Sequence, residues 1–212
     1  NFISRKLQMK LLFRNRKKLV VFGLLLFLAM NIIAFFHAYK FTHFTENKSS
    51  KTKSPEKLSS LEKIKTLAFG VNNPKPKNLN IPSQNYQVLK LKSNKEIECW
   101  WIKNENSKGT IVLFHGYAAE KSSMLDKSDE FIKMGYSTVL VDFMGSGNSE
   151  GNQTTIGFKE AEQVKTVFNF IDKTGENNIY LYGTSMGSVA IMKCINDYKI
   201  NPKGIMIECP FG

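Results

Sequence analysis

Acidic residues are missing from the first 45 positions of this 212-residue chain; Glu46 is the first. Residues 1–57 carry 12 Lys/Arg against Glu46 and Glu56, a net of +10 out of the +12 of the whole chain. Residues 58–212, with 18 basic and 16 acidic side chains, are nearly neutral. A duplex-binding domain needs its positive charge on the folded face that meets phosphates, so this distribution argues against nucleic acid as a partner. Cysteine is scarce as well: Cys99, Cys194 and Cys209 form no C-x-x-C and no paired Cys/His spacing. That argues against a zinc site or a disulfide framework and leaves free buried thiols as the expectation. Histidine is limited to His37, His43 and His115. A hydrophobic fraction of 42% with 12% aromatic residues is enough for a packed core, which excludes wholesale disorder. The chain opens at Asn1 and stops at Gly212 shortly after an apolar strand-like run, and reads as a piece of a longer protein.

Charge is also absent from Leu19 to Tyr39, 21 residues dense in Leu, Phe, Val and Ile. At about 1.5 Å per residue such a helix spans about 31 Å, close to the hydrocarbon thickness of a bilayer at about 30 Å. A cleaved signal peptide is the alternative, but Phe36, His37, Ala38 makes a poor small-residue cleavage site and the apolar core is long. Residues 19–39 therefore read as a single transmembrane helix in contact with the lipid bilayer. Seven basic residues precede it, from Arg5 to Lys18, and only Lys40, Lys48, Lys51 and Lys53 follow it up to residue 55. The asymmetry places the N-terminus in the cytoplasm and the remainder outside it. The chain thus divides into a basic segment (1–18), the membrane helix (19–39), a linker (40–85) and a folded domain (86–212). Within the linker, residues 40–57 read as a solvated tether. A short helix follows, with Ser54 as N-cap, Pro55 in the first turn, Leu58, Leu61, Ile64 and Leu67 on one face, and Gly70 as stop. That face is expected to pack on the domain. Val71 to Asn85, with three prolines, reads as an extended connector.

After Asn85 the pattern becomes regular. Tyr86–Lys92 and Ile97–Ile102 predict an antiparallel hairpin. Strand-like runs at Thr110–Phe114, Tyr136–Asp142, Asn178–Tyr182 and Gly204–Glu208 then alternate with helical patterns near 120–134, 156–173 and 186–198. Alternation at this spacing predicts right-handed βαβ crossovers and an α/β fold, a mostly parallel sheet with helices on both faces. Chemistry is then expected at the C-terminal ends of the strands.

Three motifs stand at those ends. Gly183-Thr184-Ser185-Met186-Gly187 is a G-x-S-x-G between a strand and a helix, the context of a nucleophile elbow. Its turn is tight enough to strain the serine backbone, and the glycines leave room for the neighbouring strand and helix. Strand Thr110–Phe114 ends in His115-Gly116-Tyr117. An acyl-transfer site needs two backbone N–H groups aimed at the oxyanion; those of Met186 and Tyr117 are the candidates. His115 is expected to stabilise its loop through hydrogen bonds rather than to act as general base. The third run, from Asp142 to Ser149, contains Gly145 and Gly147 but has Glu150 where a dinucleotide fingerprint needs its third glycine.

These elements, in this order and on these strand ends, resemble the α/β-hydrolase fold, in particular the serine-aminopeptidase-like (S33) and Bem46-like membrane-anchored hydrolases. The resemblance covers residues 86–212. It implies an eight-stranded sheet of which six strands are present, Ser185 as nucleophile, and the main chains of Met186 and Tyr117 as oxyanion hole. It calls for no cofactor and no metal. The loop after the fourth strand often reads D-x-R-G-x-G-x-S in relatives, and here Met144 stands in place of the arginine. In this fold the acid and the histidine follow the nucleophile, yet no histidine follows Ser185. Glu208, at the end of the sixth strand, reads as structural, and the base and acid are expected beyond Gly212. The resemblance implies a membrane-anchored serine hydrolase acting on a small-molecule or peptide acyl substrate, an ester, thioester or amide. A non-catalytic binding protein on a degenerate hydrolase fold is the alternative, and cofactor-free haloperoxidation a third.

Overall fold

The computed structural model describes residues 2–45 and 51–211, with side chains from residue 16 onward. The side chains of Arg5, Lys6, Lys10 and Arg14, and tether residues 46–50, lie outside the described residues. The chain forms two compact units, one of Asn1–Phe41 with Thr52–Val71 and one of Thr42–Lys51 with Asn72–Gly212.

In the first unit, helix α1 runs over Phe2–Thr42 and is longer at both ends than the 21-residue apolar run. Its segment Arg16–Thr42 is long and apolar enough to cross a membrane, and none of that apolar surface is buried. A 3-10 turn at Pro55–Lys57 precedes helix α2, Ser60–Phe69. The helix expected from Ser54 starts later because Ser59 closes a capping box with Glu62, each satisfying a backbone N–H of the other. Gly70 ends it, as its position implies. Among the described residues of this unit nothing covers the apolar face of Leu61, Ile64 and Leu67, and all three are exposed. The end of α2 meets α1, with Phe69 edge-on to Phe36 and the His37 ring bonded to the Leu67 carbonyl.

The second unit is built on a six-stranded sheet. Its strands are β1 (Gln87–Lys92), β2 (Glu96–Ile102), β3 (Thr110–Phe114), β4 (Ser137–Val141), β5 (Ile179–Thr184) and β6 (Gly204–Glu208). They are ordered β1-β2-β4-β3-β5-β6. The β1–β2 hairpin and the β2–β4 pair are antiparallel, and β4–β3–β5–β6 are parallel. Side chains alternate across the central strands as the twofold period requires. Val112, Phe114, Val139, Val141 and Leu181 face α4 (Glu160–Asp172) and α5 (Met186–Tyr198). Ile111, Leu113, Leu140 and Tyr182 face α3 (Leu125–Lys133). The sheet is therefore covered on both faces, as the strand and helix spacing predicts.

Three boundaries differ from expectation for visible reasons. Strand β5 runs two residues further, because Gly183 and Thr184 pair with Ile207 and Glu208. Helix α4 starts late because residues 154–157 wrap around the buried Glu160 carboxylate, which accepts from Thr154 Oγ1 (2.7 Å), Thr155 N (2.9 Å) and Gly157 N (3.0 Å). The run from residue 120 opens as a 3-10 turn, Lys121–Met124, before α3. The solvated tether also needs correcting at its start. His43 and Thr45 form bridges to Gln153 and Pro74, the Thr42 carbonyl accepts from Thr154 N, and Phe44 is only 2% exposed. One buried aromatic and a set of backbone bonds outweigh the polar composition around them. Of the cysteines, Cys99 and Cys194 are buried as expected, but Cys209 is exposed, just past the end of β6.

Candidate active site

Ser185 occupies the apex between β5 and α5 with φ 51° and ψ −112°, a backbone conformation that non-glycine residues rarely adopt. Such strain persists only where the surroundings over-determine it, and the neighbours here do so. The Ser185 N–H donates to the Glu208 carbonyl (2.8 Å), and the Ser188 hydroxyl donates to the Gly183 carbonyl (2.6 Å). A Cβ on Gly187 would lie 2.3 Å from the Phe114 carbonyl oxygen, and one on Gly183 would lie 2.7 Å from the backbone of Gly187 and Ser188. Both glycines of the G-x-S-x-G are thus required by close backbone approach, and Gly187 wedges the start of α5 against the end of β3.

That wedge brings the second motif to the first. A Cβ on Gly116 would stand 3.5 Å from the Cβ of Ser185, so the loop carrying Tyr117 lies directly beside the elbow. Met186 is the first residue of α5, and first-turn amides have no acceptor within their own helix. Its side chain is buried, with Sδ 3.2 Å from the Thr154 hydroxyl. The Tyr117 ring packs on Phe44 with centroids 5.9 Å apart, and its hydroxyl accepts from Asn73 Nδ2 (3.1 Å).

His115 is fully buried and both ring nitrogens are used. Nε2 accepts from the Phe143 N–H (3.1 Å), so the proton sits on Nδ1, which donates to the Gly116 carbonyl (2.8 Å). Burial lowers its pKa against the pull of Asp142, so the ring stays neutral. The residue ties the loop after β3 to the loop after β4 through the loop-stabilising hydrogen bonds that the sequence reading anticipates.

A second tie holds the far end of the same loop, and sequence reasoning missed it. Lys121 is fully buried; its ammonium pairs with Asp142 (2.5 Å) and Glu98 (3.0 Å) and lies 4.4 Å from the centre of the Trp100 ring. Asp142 also accepts from Lys121 N (2.7 Å), Asn78 Nδ2 (2.8 Å) and Asn148 N (3.0 Å). Burial alone would raise the Asp142 carboxyl, but the Lys121 charge and these bonds hold it below the ordinary carboxylate range. The segment from His115 to Lys121 is therefore pinned at both ends to the β4 loop. The available signal was an Asp at a strand end followed by a tight Gly-Ser-Gly turn; nothing in the pattern near residue 120 marks a buried lysine.

Glu208 shares in the same framework. Its carboxylate accepts from Tyr182 (2.6 Å), Lys127 (3.0 Å) and Thr184 (3.0 Å), and these bonds pull its pKa down to about 2.

A strained serine between strand and helix, a His-Gly loop beside it and a parallel sheet covered on both faces define an α/β hydrolase. A family profile, Serine aminopeptidase, S33, matches residues 105–212. The chain belongs to that family. It is 25% identical over 138 residues to the uncharacterized membrane protein YNL320W of Saccharomyces cerevisiae, covering 64% of this chain and 48% of that one. It is 24% identical over 120 residues to the uncharacterized protein YqkD of Bacillus subtilis, covering 55% and 39%. The chain thus spans less than half the length of either relative. Among solved structures, the Pyrococcus furiosus esterase Pf2001 superposes with a TM-score of 0.54 at 26% identity, over 61% of this chain and 54% of that one. The α/β hydrolase GrgF from Penicillium sp. sh18 superposes equally well at 16% identity, over 59% and 46%, a likeness of fold alone. The apolar helix α1 and the yeast membrane protein together point to a membrane anchor.

Proposed function

We propose that this chain belongs to a membrane-anchored serine hydrolase that cleaves an ester, thioester or amide through an acyl-serine intermediate. The backbone of Ser185 carries the reading: φ 51° with ψ −112°, outside the ordinary left-handed region and held between two glycines without room for a Cβ, is strain of the kind that clusters at active sites. The Ser185 hydroxyl attacks the acyl carbonyl, and charge develops on the carbonyl oxygen. The N–H groups of Met186 and Tyr117 receive that charge, a contribution of about 3 kcal/mol for each donor. The tetrahedral species collapses by expelling the alcohol, thiol or amine, and water then releases the acid from Ser185. Both steps need a base for the proton. His115 is spent on Phe143 and Gly116, and in this fold the base follows the nucleophile. A histidine of the whole protein outside these 212 residues fills that role. The anchor is α1, with its basic N-terminal side in the cytoplasm and the hydrolase domain on the opposite side.

The test uses the full-length protein. An organophosphonate probe is expected to label Ser185, short acyl esters are expected to be hydrolysed, and Ser185→Ala is expected to lose both while keeping the melting temperature. Wild-type ester hydrolysis in Ser185→Ala overturns the assignment. Absence of labelling and turnover in a folded wild-type protein favours the non-catalytic reading of the fold.

A further inference from the structure

Helix α2 presents an apolar stripe that nothing in its own unit covers. Leu61, Ile64 and Leu67 recur at a spacing of three residues and are 77%, 64% and 72% exposed. Such a stripe on a ten-residue helix costs free energy in water, at about 25 cal/mol per Å² of apolar surface.

What the stripe meets follows from where α2 is fastened. Its C-terminal end is held by the last turns of α1 through three contacts inside one unit. His37 Nε2 donates to the Leu67 carbonyl (2.9 Å), Lys40 Nζ donates to the Gly70 carbonyl (3.4 Å), and Phe36 and Phe69 meet edge to face at 5.4 Å. Gly70, at φ +76°, comes so close that a Cβ on it would stand 3.2 Å from the Cα of His37. Two of these bonds go to carbonyls at or just past the end of α2, which the helix itself leaves without partners, and one brings a cation to its negative end. The attachment is therefore a fitted joint rather than a chance touch.

The residues of α1 in that joint mark a depth. His37 and Lys40 bracket the end of the uncharged run from Leu19 to Tyr39, where a spanning helix leaves hydrocarbon and enters the headgroup layer. Tyr39, 51% exposed, has the amphipathic chemistry of that layer. A helix pinned there with a bare Leu/Ile/Leu stripe, and with Lys63 and Lys65 among its remaining positions, has the composition of an element lying in the membrane surface.

We propose that α2 is an interfacial membrane helix, its Leu61, Ile64 and Leu67 stripe buried at the boundary between headgroups and acyl chains beside the end of α1. This rests on the reading of α1 as a membrane helix. The occupant of the stripe is lipid rather than protein, because α2 is fastened to α1 at the level where the uncharged run of α1 ends. The protein then holds the bilayer by two elements, one across it and one along it.

The full-length protein, carrying Cys209→Ser and one new cysteine at a time, is reconstituted in vesicles of phosphatidylcholine and phosphatidylglycerol. The positions are Ile64 and Leu61 on the stripe, Lys63 away from it, and Leu26 within the span. Each is labelled with a nitroxide, and collisions with molecular oxygen and a water-soluble nickel chelate are measured. Positions 64 and 61 are expected to resemble position 26, several-fold richer in oxygen than in nickel collisions, with position 63 reversed. Nickel access at 64 and 61 equal to that at 63 overturns the proposal and leaves the reading of α1 intact. Shielding of 64 and 61 from both reagents overturns it in favour of a protein partner. Nickel access at position 26 as well overturns the proposal and the membrane reading together.

Discussion

Leucine and phenylalanine are placed in opposite ways in the two units. Leu25 and Phe27 of α1 are 60% and 67% exposed, whereas Leu113 and Phe114 of β3 are fully buried. The side chains are the same, so the difference lies in the surroundings for which each surface was composed. The hydrolase unit alternates its apolar residues between two helix-covered faces of one sheet and hides them from water. The helical unit displays them all round, which is stable only where the surroundings are themselves apolar.

One substitution made in both places breaks the comparison most strongly. Leu140→Asp puts an unpaired carboxylate at the centre of β4, at about 5 kcal/mol or more, comparable with the whole margin of a domain. No cooperative melting is expected by circular dichroism. Leu25→Asp is expected to leave the melting of the hydrolase unit unchanged and to lower the membrane-bound fraction on carbonate extraction, since an Asp near the centre of a span costs about 3 kcal/mol. Equal loss of melting in both variants contradicts the division into two environments.

A subtler test lies in pH. His115 is held neutral in the fold by burial, so its folded pKa is below its unfolded value of about 6.5. As pH falls below about 6.5 the unfolded chain takes up a proton that the folded one refuses. Stability then drops by up to about 1.4 kcal/mol per pH unit until the folded pKa is reached. Asp142 acts in a separate window: its carboxyl is held below the ordinary value, so its contribution is present above about pH 4 and lost as pH falls through the folded pKa. Denaturant melts of wild type and His115→Gln between pH 7 and 5 should show the steeper decline in wild type only; parallel curves would remove the buried neutral histidine from the account.

The smallest effect belongs to the helical unit. Ser59→Ala removes the side-chain half of the capping box on α2, the acceptor for the Glu62 N–H, worth about 1 kcal/mol locally. Hydrogen exchange at the Glu62 and Lys63 amides should accelerate about fivefold, while β3 and β5 amides stay protected.

The strands and the elbow were legible because their signals are local. A twofold alternation fixes which face a residue serves, and G-x-S-x-G announces a turn that only glycines permit. Strands β3 and β6 and helix α5 fall where the pattern puts them, and His115 makes the loop-stabilising hydrogen bonds expected of it. Contacts between distant segments were not legible. The Lys121 ammonium is buried because Glu98, Asp142 and Trp100 arrive from two strands, and no pattern around residue 120 contains them. The same holds for Phe44, isolated among polar residues yet buried against Tyr117. The stripe on α2 was legible, but an amphipathic period names a face and not what covers it.

Thr45 accepts from Lys75 N and donates to the Asn73 carbonyl, so the chain entering the hydrolase unit after α1 and the chain re-entering it after α2 lie side by side. Topologically, the residues between them are an excursion that departs and returns at one point, not a leash. Lengthening that excursion by a Gly/Ser insert would leave the bonds of Thr45 to Asn73 and Lys75 in place. An insert between Thr42 and Phe44 would instead cut into the run that bonds to Thr154 and Asn152, and loosen that edge of the hydrolase unit.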